Sequence, residues 1–250
     1  MPDGRVGAVL ADLATIGPWF AVTVPAPPGA VRWDALYAAP GGDDPLGRRI
    51  DEVAAALGGD RRVAASVAVQ GLAARLVSPP YAAVALHGVL PRLGGLRRDP
   101  AAADPWAPAL PAAPAAVAVP DAGTDPRGAA DLLARELATH LEPLYDAVAA
   151  RVAVSPRVLR GNVVSAVAGA ARVLEAMRRP ARPRYLAVLD ALTGHPALRG
   201  PLPAGATGRV LRLDDADPDT EWAVRRRSCC LYVRVPGGGL CGDCVLAGRR

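Results

Sequence analysis

The chain has 250 residues, 51% hydrophobic and 21% charged, which is enough apolar material for a packed core and argues against general disorder. Its 29 basic residues are all arginine, so there is no Schiff-base lysine and no P-loop lysine, and phosphoryl transfer through a P-loop is excluded. A net charge of +5 and a pI near 9.4 favour anionic ligands, acidic partner proteins or a membrane surface; the arginines are spread along the chain, and no nucleic-acid-binding signature stands out.

The N-terminal stretch MPDGRVGAVLADLATIGPWF lacks a secretory pattern, because Asp12 interrupts the apolar run and no charged n-region precedes it. No window holds about 20 uninterrupted apolar residues, so no bilayer span is expected. A cytoplasmic location is the expectation, and in a reducing compartment clustered cysteines more often bind metal than form disulfides.

Residues 18–24 (PWFAVTV) and 31–37 (VRWDALY) read as candidate strands separated by a Pro/Gly-rich turn. From Pro45 the period becomes helical. One helix is expected to end near Gly58-Gly59. A second, RRVAASVAVQGLAARLV, is expected to stop at Ser78-Pro79-Pro80, with YAAVALHGVL resuming before Pro91. Residues 94–126, rich in Pro, Ala and Gly, read as a linker or as short strands in irregular connections. They are the best candidate for a domain boundary.

Helix returns over 127–195. RGAADLLARELATHLEPLYDAVAARV carries a candidate bend at Pro143. Ser155-Pro156 supplies an N-cap and a first-turn proline for the next helix. The small residues Gly161, Ser165, Gly169 and Ala170 in that helix favour close helix packing. PRYLAVLDALTG follows as a further helix. The expected fold is mainly α with a smaller β component (α+β). Its parts are an N-terminal region of strands and helices (1–93), the connection (94–126), a helical domain (127–220) and a C-terminal cysteine segment (221–250).

All four cysteines, Cys229, Cys230, Cys241 and Cys244, fall within SCCLYVRVPGGGLCGDC, at the spacing C-C-x10-C-x2-C. Two disulfides would demand a strained bridge between neighbours, or ties from Cys229 and Cys230 to Cys241 and Cys244. A structural zinc ion suits the C-G-D-C half but fits adjacent cysteines poorly. A [2Fe–2S] cluster spreads its ligand positions over two irons and meets adjacent cysteines more easily, so it is the main reading. Gly242 is expected to allow a tight turn and to offer its amide to a cluster sulfur.

RRRSCC…LCGDC resembles the C-terminal signature of the FhuF-like ferric siderophore reductases, and QGLAARLVSPPYAAVALHG and SPRVLRGNVVSAVAGAARVL are similar to internal segments of that family. The resemblance implies that all four cysteines hold a [2Fe–2S] cluster. It further implies a helical body related to the C-terminal part of siderophore synthetases, and one-electron reduction of a ferric siderophore with release of Fe(II). No catalytic acid or base is then obligatory.

Arg225, Arg226 and Arg227, just before the cysteines, are placed to attract an anionic chelate or an acidic electron donor, and would raise the cluster potential. Trp222 and Tyr232 flank them, either shielding the cluster or touching substrate. His87, His140 and His195 are scattered and read as structural. Asp214, Asp215, Asp217 and Asp219 lack a calcium-loop pattern and read as a solvated loop. With no G-x-G-x-x-G between strand and helix, electrons are expected from a separate donor, a ferredoxin or a flavin reductase. Peripheral association with the cytosolic membrane face is compatible with the sequence.

Overall fold

The computed structural model describes residues 3–212 and 221–247. The aspartates of 214–219 therefore lie outside the described residues. Seven α-helices dominate the described chain: α1 (Asp3–Ala14), α2 (Pro45–Leu57), α3 (Arg61–His87), α4 (Pro126–Ala149), α5 (Pro156–Met177), α6 (Arg182–Thr193) and the one-turn α7 (Pro196–Arg199).

The helix ends follow from local chemistry. Asp44 and Asp125 sit at the N-caps of α2 and α4, each accepting from a glycine amide (Gly47 and Gly128) two residues after a first-turn proline. Asp60 caps α3 by accepting from the amides of Arg62 and Val63. Gly58 and Gly88 end α2 and α3 with φ of 90° and 63°, conformations that favour glycine. Ser155 occupies the N-cap of α5 as expected, yet makes no side-chain cap bond.

Helix α3 is the centre of the molecule. It packs against α1, α2, α4, α5 and α6, and it is buried on nearly every face. It runs without a break through Pro79 and Pro80, where the sequence suggested a stop. The two prolines remove two backbone donors, but Ser78 to Ala85 are all buried, and Tyr81 Oη donates to the Tyr185 carbonyl at 2.6 Å, tying this half of α3 to α6. Tertiary packing here outweighs a local cost of about 3 kcal/mol per interior proline.

Seven short strands complete the fold among the described residues. β1 (Val31–Arg32), β3 (Arg97–Arg98) and β4 (Pro108–Ala109) form one antiparallel sheet, and β2 (Val89–Pro91) pairs with β5 (Ala116–Ala118). The Pro/Ala-rich stretch thus carries short strands, and its Leu96 and Leu110 join the same hydrophobic core as the helices. The candidate strand at 31–37 is only two residues long; Trp33–Tyr37 is a 3-10 helix that buries Trp33 and Leu36, one turn apart. Within 18–24, Thr23 alone makes a bridge, to Ala109.

The last pair, β6 (Gly208–Arg212) and β7 (Trp222–Arg226), leads into the cysteines. A side chain at Gly208 would meet Val164 Cγ1 at 3.0 Å and the Arg225 carbonyl at 3.2 Å, so glycine here lets the hairpin lie directly on α5.

Candidate metal centre

The cysteine segment has little regular structure and is held by hydrogen bonds to the helical body. The Arg226 amide donates to the Asp243 carbonyl at 3.0 Å, joining the strand before the first cysteines to the turn between the last two. The Asp243 carboxylate is buried and pairs with Arg172 of α5. Ser228 Oγ donates to the Arg157 carbonyl at 3.0 Å, and Ser66 Oγ of α3 donates to the Cys230 carbonyl at 2.7 Å. Gly161 permits this approach: a Cβ there would fall 2.3 Å from Ser228 Oγ.

Directly after the adjacent cysteines the chain turns at Leu231, with a φ of 71° that side-chain-bearing residues rarely adopt. The Leu231 amide lies 3.3 Å from Cys229 Sγ, and the Leu246 amide 3.4 Å from Cys244 Sγ. Both amides donate to cysteine sulfurs. Gly242 has an ordinary φ and open space around it, while Gly237 (φ 72°) and Gly238, where a Cβ would fall 2.5 Å from the Tyr232 carbonyl, shape the return loop.

All four cysteines are free thiols, with Cys230 and Cys244 buried and Cys229 and Cys241 partly exposed. Cys230 Sγ and Cys241 Sγ are 3.8 Å apart. Two thiolates sharing one tetrahedral metal, with bonds of about 2.3 Å, stand about 3.8 Å apart. The hydrogen bond between the two lowers Cys230 to about 6 and pushes Cys241 up. Burial raises Cys229. Among the described residues, no three Cys, His, Asp or Glu groups gather around a single point. A pair of irons asks for two separated sets of sulfurs, and Cys230 with Cys241 makes one such set.

Arg226 supplies a further fit test. It is 1% exposed, with Nη2 donating to Asn162 Oδ1 at 2.7 Å and Nη1 to Ser165 Oγ at 3.2 Å, while Nε has no partner. Its positive charge favours the thiolate at all three of Cys229, Cys230 and Cys241, opposing the burial that raises Cys229 and the hydrogen bond that raises Cys241. A thiolate-bound cluster, which is anionic, matches this environment.

The remaining sequence candidates separate. Arg226 faces the interior and makes no contact with solvent, so it cannot meet a chelate at the surface. Arg227 is exposed and Arg225 half-buried. Trp222 Nε1 donates to Glu175 Oε2 at 3.3 Å and its ring lies under Arg172, which ties it to α5. Tyr232 is 38% exposed and lines a cavity. The histidines are structural. His87 meets Asp12 at 3.0 Å, His140 lies between Tyr37 and the Leu93 carbonyl, and His195 accepts from the Ala197 amide.

That cavity, of about 450 Å³, lies between α3 and α5 and reaches Cys230 and Cys241. Gly71, Ala74, Gly169 and Ala170 form small-residue walls, and Trp19 and Tyr232, both substantially exposed, stand at its edge. No arginine is among the residues lining it. The Gly161, Ser165 and Gly169 series therefore does more than bring helices together: it seats Ser228, holds Arg226 and hollows out this space. The roles of Ser66, Asn162 and the cavity walls were not apparent from sequence.

No helix among the described residues is long and apolar enough to cross a membrane. No curated protein and no solved structure matches the chain. The model of the FhuF 2Fe-2S C-terminal domain matches residues 226–246, a span that covers the cysteine segment and not the helical body. Cys229, Cys230, Cys241 and Cys244 stand at that domain's motif spacing, and the cofactor of this segment is a [2Fe–2S] cluster.

Proposed function

We propose that this protein reduces a ferric siderophore, releasing iron as Fe(II), with Cys229, Cys230, Cys241 and Cys244 as the four cluster ligands. When bound, a [2Fe–2S] cluster supplies single electrons, the number that Fe(III) needs to become Fe(II). Hard oxygen chelators hold Fe(II) far less tightly than Fe(III), so a one-electron change at the iron is sufficient for release.

The observation that carries this reading is the cavity, which gives an external molecule a path to Cys230 and Cys241, in the segment that matches the 2Fe-2S domain. The residues around it admit and orient the chelate. Gly71, Ala74 and Gly169 leave the space open, and Trp19 and Tyr232 offer flat faces at its edge. Arg75 stacks on Trp19 at 4.0 Å and is itself paired with Asp104, which fixes the indole. No proton donor is required at the iron, in keeping with histidines that are engaged elsewhere. The electron donor is a separate protein, and exposed Arg227 and Arg234 present positive charge to an acidic one beside the cysteines.

The test is anaerobic. Protein reduced with dithionite and freed of excess reductant is mixed with a ferric hydroxamate and a ferrous-specific chromophore. The visible absorption of the oxidised cluster is expected to return as the ferrous complex forms, one Fe(II) per electron. Reduced protein that stays bleached would show an electron carrier without a chelate site. Gly169→Leu adds a side chain where a Cβ meets nothing within 4 Å, filling the cavity from its wall. It is expected to slow reoxidation on the order of tenfold or more by displacing the chelate, with the cluster spectrum unchanged.

A further inference from the structure

Arg226 is an anomaly among the buried arginines. Arg160 and Arg182 are 6% and 5% exposed and pair with Glu142 and Glu175. Arg98, 6% exposed, lies over the ring of Trp106, 4.9 Å from its centroid. Arg226 is the most buried of the four, and among the described residues it has neither a carboxylate nor an aromatic face. Its partners are neutral, Asn162 and Ser165, and Nε has none. A guanidinium does not lose its proton in a protein, so the charge is present, and a buried charge without a counter-charge is strongly unfavourable.

The neutral partners are themselves fixed. Asn162 Nδ2 donates to the Ser66 carbonyl at 2.7 Å and to Ser66 Oγ at 2.9 Å, and Ser66 Oγ donates to the Cys230 carbonyl. This orients the Asn162 oxygen toward Arg226. One chain of hydrogen bonds thus runs from the guanidinium through α5 and α3 back to a cysteine, holding the cation at a set place relative to the sulfurs.

We propose that Arg226 is the buried counter-charge of the metal centre, a positioning residue locked by Asn162 and Ser165 that raises the centre's reduction potential. The inference rests on the reading of the four cysteines as cluster ligands. The cluster with its four thiolates is anionic and gains one more negative charge on reduction. A fixed cation in a poorly solvated site stabilises the more negative state more, so its removal favours oxidation.

The experiment is a redox titration of the purified holoprotein, followed by visible absorption and by the electron-paramagnetic signal of the reduced cluster. Arg226→Met is expected to shift the equilibrium at least tenfold toward the oxidised form, a fall of about 59 mV for one electron. Arg226→Lys, which keeps the charge, is expected to stay nearer wild type than Arg226→Met. Should Arg226→Met fail to fold or to hold a cluster, Asn162→Asp decides, because it places a carboxylate against the guanidinium and is expected to lower the potential in the same direction. An unchanged potential in the cluster-bearing variant that decides the test, or a lysine variant that falls with the methionine one, would overturn the proposal. A wild-type protein without the cluster spectrum would instead overturn the ligand assignment beneath it.

Discussion

The helical body and the cysteine segment are stabilised by different means. In the body, Leu133, Leu137, Leu141 and Leu144 of α4 and most of α3 are excluded from water, so stability comes from apolar burial. In residues 226–247 the buried side chains are Arg226, Ser228, Cys230, Asp243 and Cys244, with no aliphatic residue among them. That segment is placed by hydrogen bonds to α3 and α5, one ion pair and the metal centre. Hydrogen bonds of this kind contribute about 1 kcal/mol each, so a bound metal is expected to add substantially to the order of the segment. The body is therefore expected to keep its fold when the metal is lost, and the segment to lose its order.

The largest expected effect comes from Cys241→Ser, which removes one sulfur of the 3.8 Å pair. Bound iron and visible absorption should be lost, while far-ultraviolet circular dichroism keeps its helical signal. Collapse of both together would show that the two regions are not separable. Leu133→Ala tests the opposite side. It is fully buried in α4, and its truncation should cost about 2–5 kcal/mol in chemical denaturation with the cluster spectrum intact. Ser66→Ala probes the junction. It removes the donor to the Cys230 carbonyl and one acceptor of Asn162, and should cost about 1–3 kcal/mol, seen as faster cluster loss to a chelator at nearly unchanged helicity.

Much of this division is legible in the residues. Asp-Pro pairs start α2 and α4, glycines end α2 and α3, and the cysteine spacing marks the metal segment. Pro79-Pro80 misleads because a local rule is overridden by burial that only the folded chain reveals. Arg226 misleads because three arginines in a row read as one exposed cluster for an anionic chelate or an acidic donor, whereas Arg226 is buried. Strand alternation carries the missing signal: Val224, Arg226 and Ser228 are buried in turn, while Arg227 between the last two is exposed. The cavity is the least legible feature, since the same small residues that permit helices to touch also permit them to leave a gap.

The central claim is that the terminal cysteines hold a pair of irons open to an external chelate, and metal analysis of the anaerobically purified protein tests it most directly. The account predicts two irons and two sulfides per chain, as the matched 2Fe-2S domain requires, with the red-brown absorption of that cluster. Stoichiometric zinc, or a colourless protein free of metal, would contradict it.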